Sequence, residues 1–363
     1  MNFLSHNNIV LHDYFEAAEG GGRLSLTLAR SLPADLAYGF RGVDHPFFTL
    51  DAFPGRIHQV SSCSHIPIWR QLKLIHHFSN RTGFLADYRF AVYSGFYAPL
   101  AVHNSGGVNI CYCHTPPRFL YDQHDYFMSL ISPWHRPVLG AFNSYFRPRY
   151  ERAMNEMDRI VANSTNVQKR IRKYLGLESQ VVYPPCDTSR FCWQGQDDFY
   201  LSTARLDPLK RVDVVVRAFL RMPDKNLVVV SGGCELARIR RLAGNAKNIK
   251  VMGWVSETQL RALVGRCIST VYLPMDEDFG MSPVESMAAG KPVIGVAEGG
   301  LLESMIPGET GVLLRPDFNE ELLCREVREM TPARALAMRT ACERRARVFN
   351  KEIFVQKMRE MAA

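Results

Sequence analysis

Short apolar, β-branched runs, each released through a small-residue turn into a helical stretch, recur from one end of this 363-residue chain to the other. Residues 8–12, Asn-Ile-Val-Leu-His, read as a buried strand. A loop through Gly20-Gly21-Gly22 follows, and residues 23–30 read as a helix. The runs at 90–94, 108–112 and 159–163 continue the alternation, and Ser164 reads as the cap of a basic helix over 165–174. Strand, turn, helix and strand in that order call for parallel neighbours, since each helix carries the chain back to the starting edge of the sheet. The expected fold class is therefore α/β with doubly wound parallel sheets.

The grammar is broken once. Residues 181–187, Val-Val-Tyr-Pro-Pro-Cys-Asp, leave a strand through a double proline, which marks a linker. Beyond it the pattern starts again, with strands expected at 199–202, 227–231, 249–253, 269–273 and 292–296 and a helix at 212–220. A single core rarely grows past about 250–300 residues, so two domains fit the length. All eleven histidines lie between His6 and His135, as expected if the two halves serve different ligands.

Several classes are excluded. Hydrophobic residues make up 47% and charged residues 22%, too balanced for a disordered chain or a coiled coil. No window approaches the ~18 unbroken apolar residues of a membrane span. The first residues lack a basic segment followed by a long apolar run, so no secretory leader is expected and a cytoplasmic location is. Nine cysteines with no C-x-x-C pair do not make a zinc site or a disulfide scaffold. The formal charge of +8 suits an anionic ligand or surface, but no nucleic-acid-binding signature accompanies it, and no nucleic-acid partner is expected. A nicotinamide dehydrogenase would need G-x-G-x-x-G after the first strand, which Gly20–Ser25 does not supply.

Three segments fall at carboxyl ends of expected strands in the second half, where ligands bind open parallel sheets. In residues 204–211, Arg205 and Lys210 flank a turn before a helix. The pair suits a diphosphate, or is simply a solvated basic turn. In residues 275–285, Ser282 reads as an N-cap with Pro283 at the first helical position and Glu285 three residues on. Glu285 is then either the partner in a capping box or a carboxylate able to accept two hydroxyls of a vicinal diol. Glu277 lies eight residues earlier, and Gly280 permits close backbone approach. Asp276-Glu277-Asp278 spells a D-x-D, a pattern common by chance, and no metal is expected there. The third segment, residues 295–303, is another glycine-rich turn.

Taken together, Arg205 and Lys210, then E-D-F-G-M-S-P-V-E from Glu277 to Glu285, then A-A-G-K-P-V-I-G, E-G-G and P-G-E-T-G-V-L-L, resemble glycosyltransferase family 4, densely over residues 199–315 and loosely elsewhere. The stretch from Cys113 through His114 to Asp122 resembles the mannosyltransferase branch that builds O-antigen and exopolysaccharide. The resemblance implies a GT-B fold: two Rossmann-like domains with parallel sheets facing across a cleft, and a C-terminal helix crossing back to the N-terminal domain. The domains would span 1–183 with about 348–363, and 184–347.

It also implies a retaining, metal-independent hexosyl transfer from a nucleotide sugar, which is a substrate and not a cofactor. The implied donor is GDP-mannose, with a UDP-sugar as the alternative. The implied acceptor is a polyprenyl-diphosphate-linked saccharide. Arg205 and Lys210 match the diphosphate cations, Glu285 the ribose ligand and Glu277 the hexose ligand. Phe279, Gly280, Met281 and Ser282 match the donor loop, and Gly253, Trp254 and Val255 a base-contacting turn. Gly21 and Gly22 match a phosphate-side loop, although Arg23 stands where an acidic residue is commoner. His114 would join Glu277, Arg205 and Lys210 in the chemistry, with Arg118, Tyr121 and Asp122 on the acceptor side. A non-catalytic nucleotide-sugar-binding protein and a glycogen-synthase-like enzyme are the competing readings. Residues 126–152 mix aromatic and basic side chains, which suits either two ordinary amphipathic helices or the surface of an anionic cytoplasmic membrane.

Overall fold

A computed structural model describes residues 7–16, 20–42 and 53–362. The chain forms two compact units, one of residues 1–183 with 355–363, the other of residues 184–354. The first boundary falls between Tyr183 and Pro184, and the return to the first unit falls at 354/355, later than the expected 348.

The first unit is built on strands β1 (Asn8–Phe15), β2 (Asp35–Arg41), β3 (Ile57–Gln59), β4 (Phe90–Ser94), β5 (Val108–Cys113), β6 (Arg159–Ala162) and β7 (Gln180–Val181). They form one parallel sheet in the order β3-β2-β1-β4-β5-β6-β7. Chain direction across the sheet reverses between β1 and β4. The helices are α1 (Gly20–Ser31), α2 (Pro67–Asn80), α3 (His124–Ser129), α4 (Arg136–Asn155) and α5 (Thr165–Leu175). Ile9, Val10 and Leu11 are all fully buried, so β1 is covered on both faces, as a central parallel strand must be. The Ser164 hydroxyl accepts from the Val167 amide at 3.0 Å and Gly176 ends α5 in the left-handed region, so the expected cap stands.

The second unit carries β8 (Tyr200–Ser202), β9 (Leu227–Val230), β10 (Ile249–Gly253), β11 (Thr270–Val271), β12 (Val293–Val296) and β13 (Gly311–Leu314), all parallel, in the order β10-β9-β8-β11-β12-β13. Here the direction reverses between β8 and β11. Its helices are α6 (Val212–Leu220), α7 (Leu236–Ala243), α8 (Glu257–Arg266), α9 (Met281–Ala288), α10 (Leu301–Ser304), α11 (Glu320–Glu329), α12 (Pro332–Ala337) and α13 (Arg339–Ala346). A last helix, α14 (Lys351–Ala362), begins in the second unit and finishes in the first, where Arg359 donates to the Ser31 carbonyl at 3.0 Å.

Two local expectations are corrected. Gly20-Gly21-Gly22 is the first turn of α1 and not a loop. Leu24, Leu26, Leu28 and Ala29 bury the helix, and that burial outweighs the poor helix propensity of the glycines. Ser282 is not a cap either: α9 starts at Met281, behind Gly280 at φ +88°, with no side-chain cap. Pro283 therefore sits third in the helix, where its missing N–H is still no loss. Glu285 is not part of a capping box.

Candidate active site

In the second unit the carboxyl ends of β8 and β11 flank the point where sheet direction reverses, the place where open α/β sheets form a crevice. From β8 the chain runs through Arg205 and a 3-10 turn, Pro208–Lys210, into α6. From β11 it runs through Tyr272 and Glu277 to α9. Lys210 pairs with the Glu277 carboxylate, so the topology joins two residues that lie 67 positions apart. Burial opposes the charge on Lys210, but Tyr272 and Glu277 beside it hold it above the ordinary lysine range. Arg205 is exposed, and its Nε lies 2.8 Å from Asp207. Ser202 Oγ and Thr203 Oγ1, at the end of β8, are buried without a hydrogen-bond partner among the described residues.

The Glu277 loop is braced from behind. The Gly300 amide donates to the Glu277 carbonyl at 2.8 Å. A Cβ on Gly300 would lie 2.3 Å from Phe279 Cα, and one on Gly299, at φ +56°, would lie 2.2 Å from the Glu277 carbonyl oxygen. The glycine pair of the E-G-G motif is thus a backbone-to-backbone support. Arg211 completes the brace. It donates to the carbonyls of Leu273 and Pro274 at 2.7 Å each and pairs with Glu298 at 3.0 Å, while Glu298 accepts from the Asp276 amide at 2.9 Å. Sequence reading missed Arg211, Glu298 and Tyr272 as parts of this site. Their only signal was adjacency to Lys210, to the glycine pair and to the β11 run.

The first turn of α9 presents amides of Met281 and Ser282 with no side-chain cap. Such amides favour an anion. Glu285 lies in the second turn of the same helix. Phe279 is buried against Phe349, with ring centroids 5.3 Å apart, so it anchors the loop. Gly253 ends β10 at φ +75°. Trp254 is exposed, and its indole lies over Gly232, where a Cβ would come within 2.0 Å of Nε1. Val255 is half-buried beside it. Among the described residues no three His, Cys, Asp or Glu side chains cluster as metal ligands.

In the first unit the direction also reverses between β1 and β4, and His114 follows β5 on the same edge. Asp13, at the end of β1, accepts from the amides of Phe96, Tyr97 and Ala98 at 2.6, 2.8 and 2.7 Å. Burial pushes its carboxyl up to about 6 against the pull of those three amides. The clamp needs Gly95, at φ +128°, because a Cβ there would meet the Asp13 carboxylate at 2.3 Å. His114 rests on Gly21, and its Nε2 lies 2.8 Å from Ser94 Oγ. Burial pushes its pKa down to about 4, so it is neutral at pH 7. Gly22 packs in the same way on Phe15 and His12.

The residues expected on the acceptor side are held by one another. Arg118 Nε donates to Asp122 at 2.9 Å, Arg170 approaches Asp122 at 3.8 Å, and Arg170 donates to Thr115 at 3.1 Å. Tyr121 stacks on Tyr174 and donates to Glu151 at 3.1 Å.

Two family descriptions match in tandem: "Glycosyltransferase Family 4" over residues 20–190 and "Glycosyl transferases group 1" over residues 190–348. The chain belongs to glycosyltransferase family 4. It is 26% identical over 257 residues to the alpha-1,3/1,6-mannosyltransferase ALG2 of Dictyostelium discoideum, covering 58% of this chain and 59% of the relative. It is 30% identical over 233 residues to the D-inositol 3-phosphate glycosyltransferase of Rhodococcus opacus, covering 56% and 52%. The family 4 chain thus spans between half and three-fifths of these curated relatives. Among solved structures, Anabaena HepE in complex with UDP and glucose superposes with a TM-score of 0.76 at 15% identity, covering 98% of this chain and 99% of that one. WaaG, a glycosyltransferase of lipopolysaccharide biosynthesis, gives 0.70 at 14%, with the same coverage. At such identities the likeness establishes the GT-B fold.

Proposed function

We propose that this family 4 chain is a retaining, metal-independent glycosyltransferase that moves mannose from GDP-mannose onto a saccharide carried on a polyprenyl diphosphate, in bacterial surface-polysaccharide synthesis. One observation carries the reading. Two cations follow β8, two glutamates and an uncapped helix start follow β11, and Lys210 pairs with Glu277 where the two segments meet. That set fits a nucleotide sugar: cations and amides for the diphosphate, Glu285 for the ribose diol, Glu277 for hexose hydroxyls. The mannosyltransferase relative and the Cys113–Asp122 stretch support mannose.

The transfer breaks the bond between the anomeric carbon and the diphosphate oxygen. Negative charge grows on the departing nucleotide, and Arg205, Lys210 and the Met281 and Ser282 amides stabilise it. Each such contact is worth about 3 kcal/mol in comparable sites. The acceptor hydroxyl attacks the same face, the new glycosidic bond forms there, and its proton passes to the leaving phosphate oxygen. No side-chain nucleophile is required, and Glu277 is left to bind sugar hydroxyls.

The acceptor lipid implies a membrane surface. No helix among the described residues is long and apolar enough to cross one. The α3–α4 region separates its large apolar residues into two sets. Phe142, Phe146 and Tyr150 are core, whereas Leu130, Trp134, Val138 and Tyr145 are exposed, with Trp134 89% accessible. Arg136, Arg149 and Arg152 are exposed on the same element, while Arg147 is occupied by Glu151 at 2.8 Å. Exposed aromatics with cations suit an anionic lipid surface. The transferase test is incubation with GDP-mannose and a polyprenyl-diphosphate-linked sugar, followed by NMR assignment of the product anomer. An α-mannoside formed without added metal supports the reading; a β-mannoside or an EDTA-sensitive reaction overturns it.

A further inference from the structure

A continuous buried hydrogen-bond chain lies behind His114. His12 on β1, Ser25 on α1 and Ser94 at the end of β4 are each less than a tenth exposed. His12 Nδ1 lies 3.1 Å from the Ser94 carbonyl and 3.0 Å from Ser25 Oγ. Ser25 Oγ lies 2.9 Å from Ser94 Oγ, and Ser94 Oγ lies 2.8 Å from His114 Nε2. Four residues from four elements therefore meet in one line, fixed at the β4 end by the Asp13 clamp.

Proton counting orders the chain. A carbonyl only accepts, so His12 Nδ1 carries its proton and donates to Ser94 O, with Ser25 Oγ as a second acceptor. Ser25 then has one proton to give, either to Ser94 Oγ or to the Gly21 carbonyl at 3.0 Å. If it goes to Ser94, every hydroxyl donates once and accepts at least once. Ser94 then donates to His114 Nε2, and the His114 proton sits on Nδ1. Among the described residues no hydrogen-bond partner reaches that nitrogen.

We propose that Ser94 and Ser25, backed by His12, are positioning residues that lock the ring of neutral His114 in its Nδ1–H tautomer, so that Nδ1–H is presented as a donor to a sugar hydroxyl. This rests on the expectation, implied by the family resemblance, that His114 takes part in the sugar transfer. A hydroxyl chain suits the task better than a carboxylate, because it sets the tautomer without drawing a second proton onto the ring.

The test is ¹⁵N NMR of the full chain with labelled histidine, with His114 assigned by comparison with His114→Gln. Steady-state hydrolysis of GDP-mannose is measured in parallel. Wild type is expected to show an Nδ1–H tautomer at His114. Ser94→Ala should move the proton toward Nε2 and lower kcat about tenfold or more, with KM little changed. Ser94→Thr keeps the hydroxyl and should restore the tautomer. Ser25→Ala, which acts one link away, should give mixed tautomers, and it stands in if Ser94→Ala does not fold. An Nε2–H wild type, or His114 shifts unmoved by both alanine variants, overturns the proposal. If the tautomer moves but neither Ser94→Ala nor His114→Gln affects hydrolysis, the lock is established and the sugar-contacting reading of His114 fails.

Discussion

Gly300→Ala isolates the contact that supports the donor loop. At φ −68° the backbone of Gly300 suits any residue, so the substitution tests space alone. The added Cβ would stand 2.3 Å from Phe279 Cα and 2.7 Å from the Asp278 and Phe279 carbonyl oxygens, all of them backbone. Real Cβ contacts essentially never fall below 3.0 Å, so the Glu277–Gly280 loop must yield by about 0.7 Å or more. Overpacking of this kind costs about 1–3 kcal/mol of stability. Displacing a positioning loop by about 1 Å costs about a hundredfold in turnover. Both are measured together: urea unfolding for stability, and GDP-mannose hydrolysis with calorimetric titration for function. Gly140→Ala is the control, since nothing lies within 4 Å of its Cβ and it sits inside α4, where alanine is favoured by up to about 1 kcal/mol. If Gly300→Ala is as stable and as active as wild type, the glycine pair does not brace the loop.

Lys210→Ala removes a diphosphate cation and strips Glu277 of its partner; donor affinity should fall about tenfold to a hundredfold, as for a lost charged hydrogen bond of about 1.5–3 kcal/mol, and an unchanged Kd by calorimetry would count against the site. Tyr272→Phe, which leaves the ring beside Lys210 and removes only the hydroxyl, should lower stability by about 1 kcal/mol in urea unfolding. His114 has a folded pKa near 4, below its unfolded value of 6.5, so its contribution to stability is present above pH 6.5 and is lost as pH falls from 6.5 through 4; the His114 NMR signals should show no titration near 6.5. Trp134→Ala combined with Arg149→Ala and Arg152→Ala should weaken sedimentation with anionic phospholipid vesicles at low salt, and unchanged binding would remove α3–α4 from the membrane reading.

β4 and β12 were legible because they are buried along their whole length and read as short, mostly apolar runs; β4, β10 and α6 fall where the sequence puts them. β2 escaped notice because Asp35 and Arg41 bound it with charge and Gly39 breaks the run between them. Tyr88 hydroxyl donation to the buried Asp35 at 2.6 Å shows how the fold accommodates that carboxylate. The start of α1 was misread because triple glycine argues locally for a loop, whereas the bare backbone there lets His114 and His12 pack closely. Ser282 had the spacing of a capping box, but Gly280 turns the chain into the helix first. At the candidate site, the pairing of Lys210 with Glu277 joins two of the expected charged residues. The brace of Arg211 and Glu298 was not legible, because an 87-residue separation leaves no local trace. Neither was the line from His12 to His114, since its serines are unremarkable in sequence and acquire meaning only when β1, α1, β4 and β5 meet.

The central claim is that the β8–β11 crevice holds a nucleotide sugar. Calorimetric titration of the full chain with GDP-mannose and UDP-glucose, in EDTA, against wild type, Lys210→Ala and Glu285→Ala tests it most directly. The account predicts that wild type binds GDP-mannose preferentially and that both variants lose at least tenfold in affinity, as expected for loss of a charged contact. Binding of neither nucleotide sugar, or binding that both variants retain in full, would contradict it.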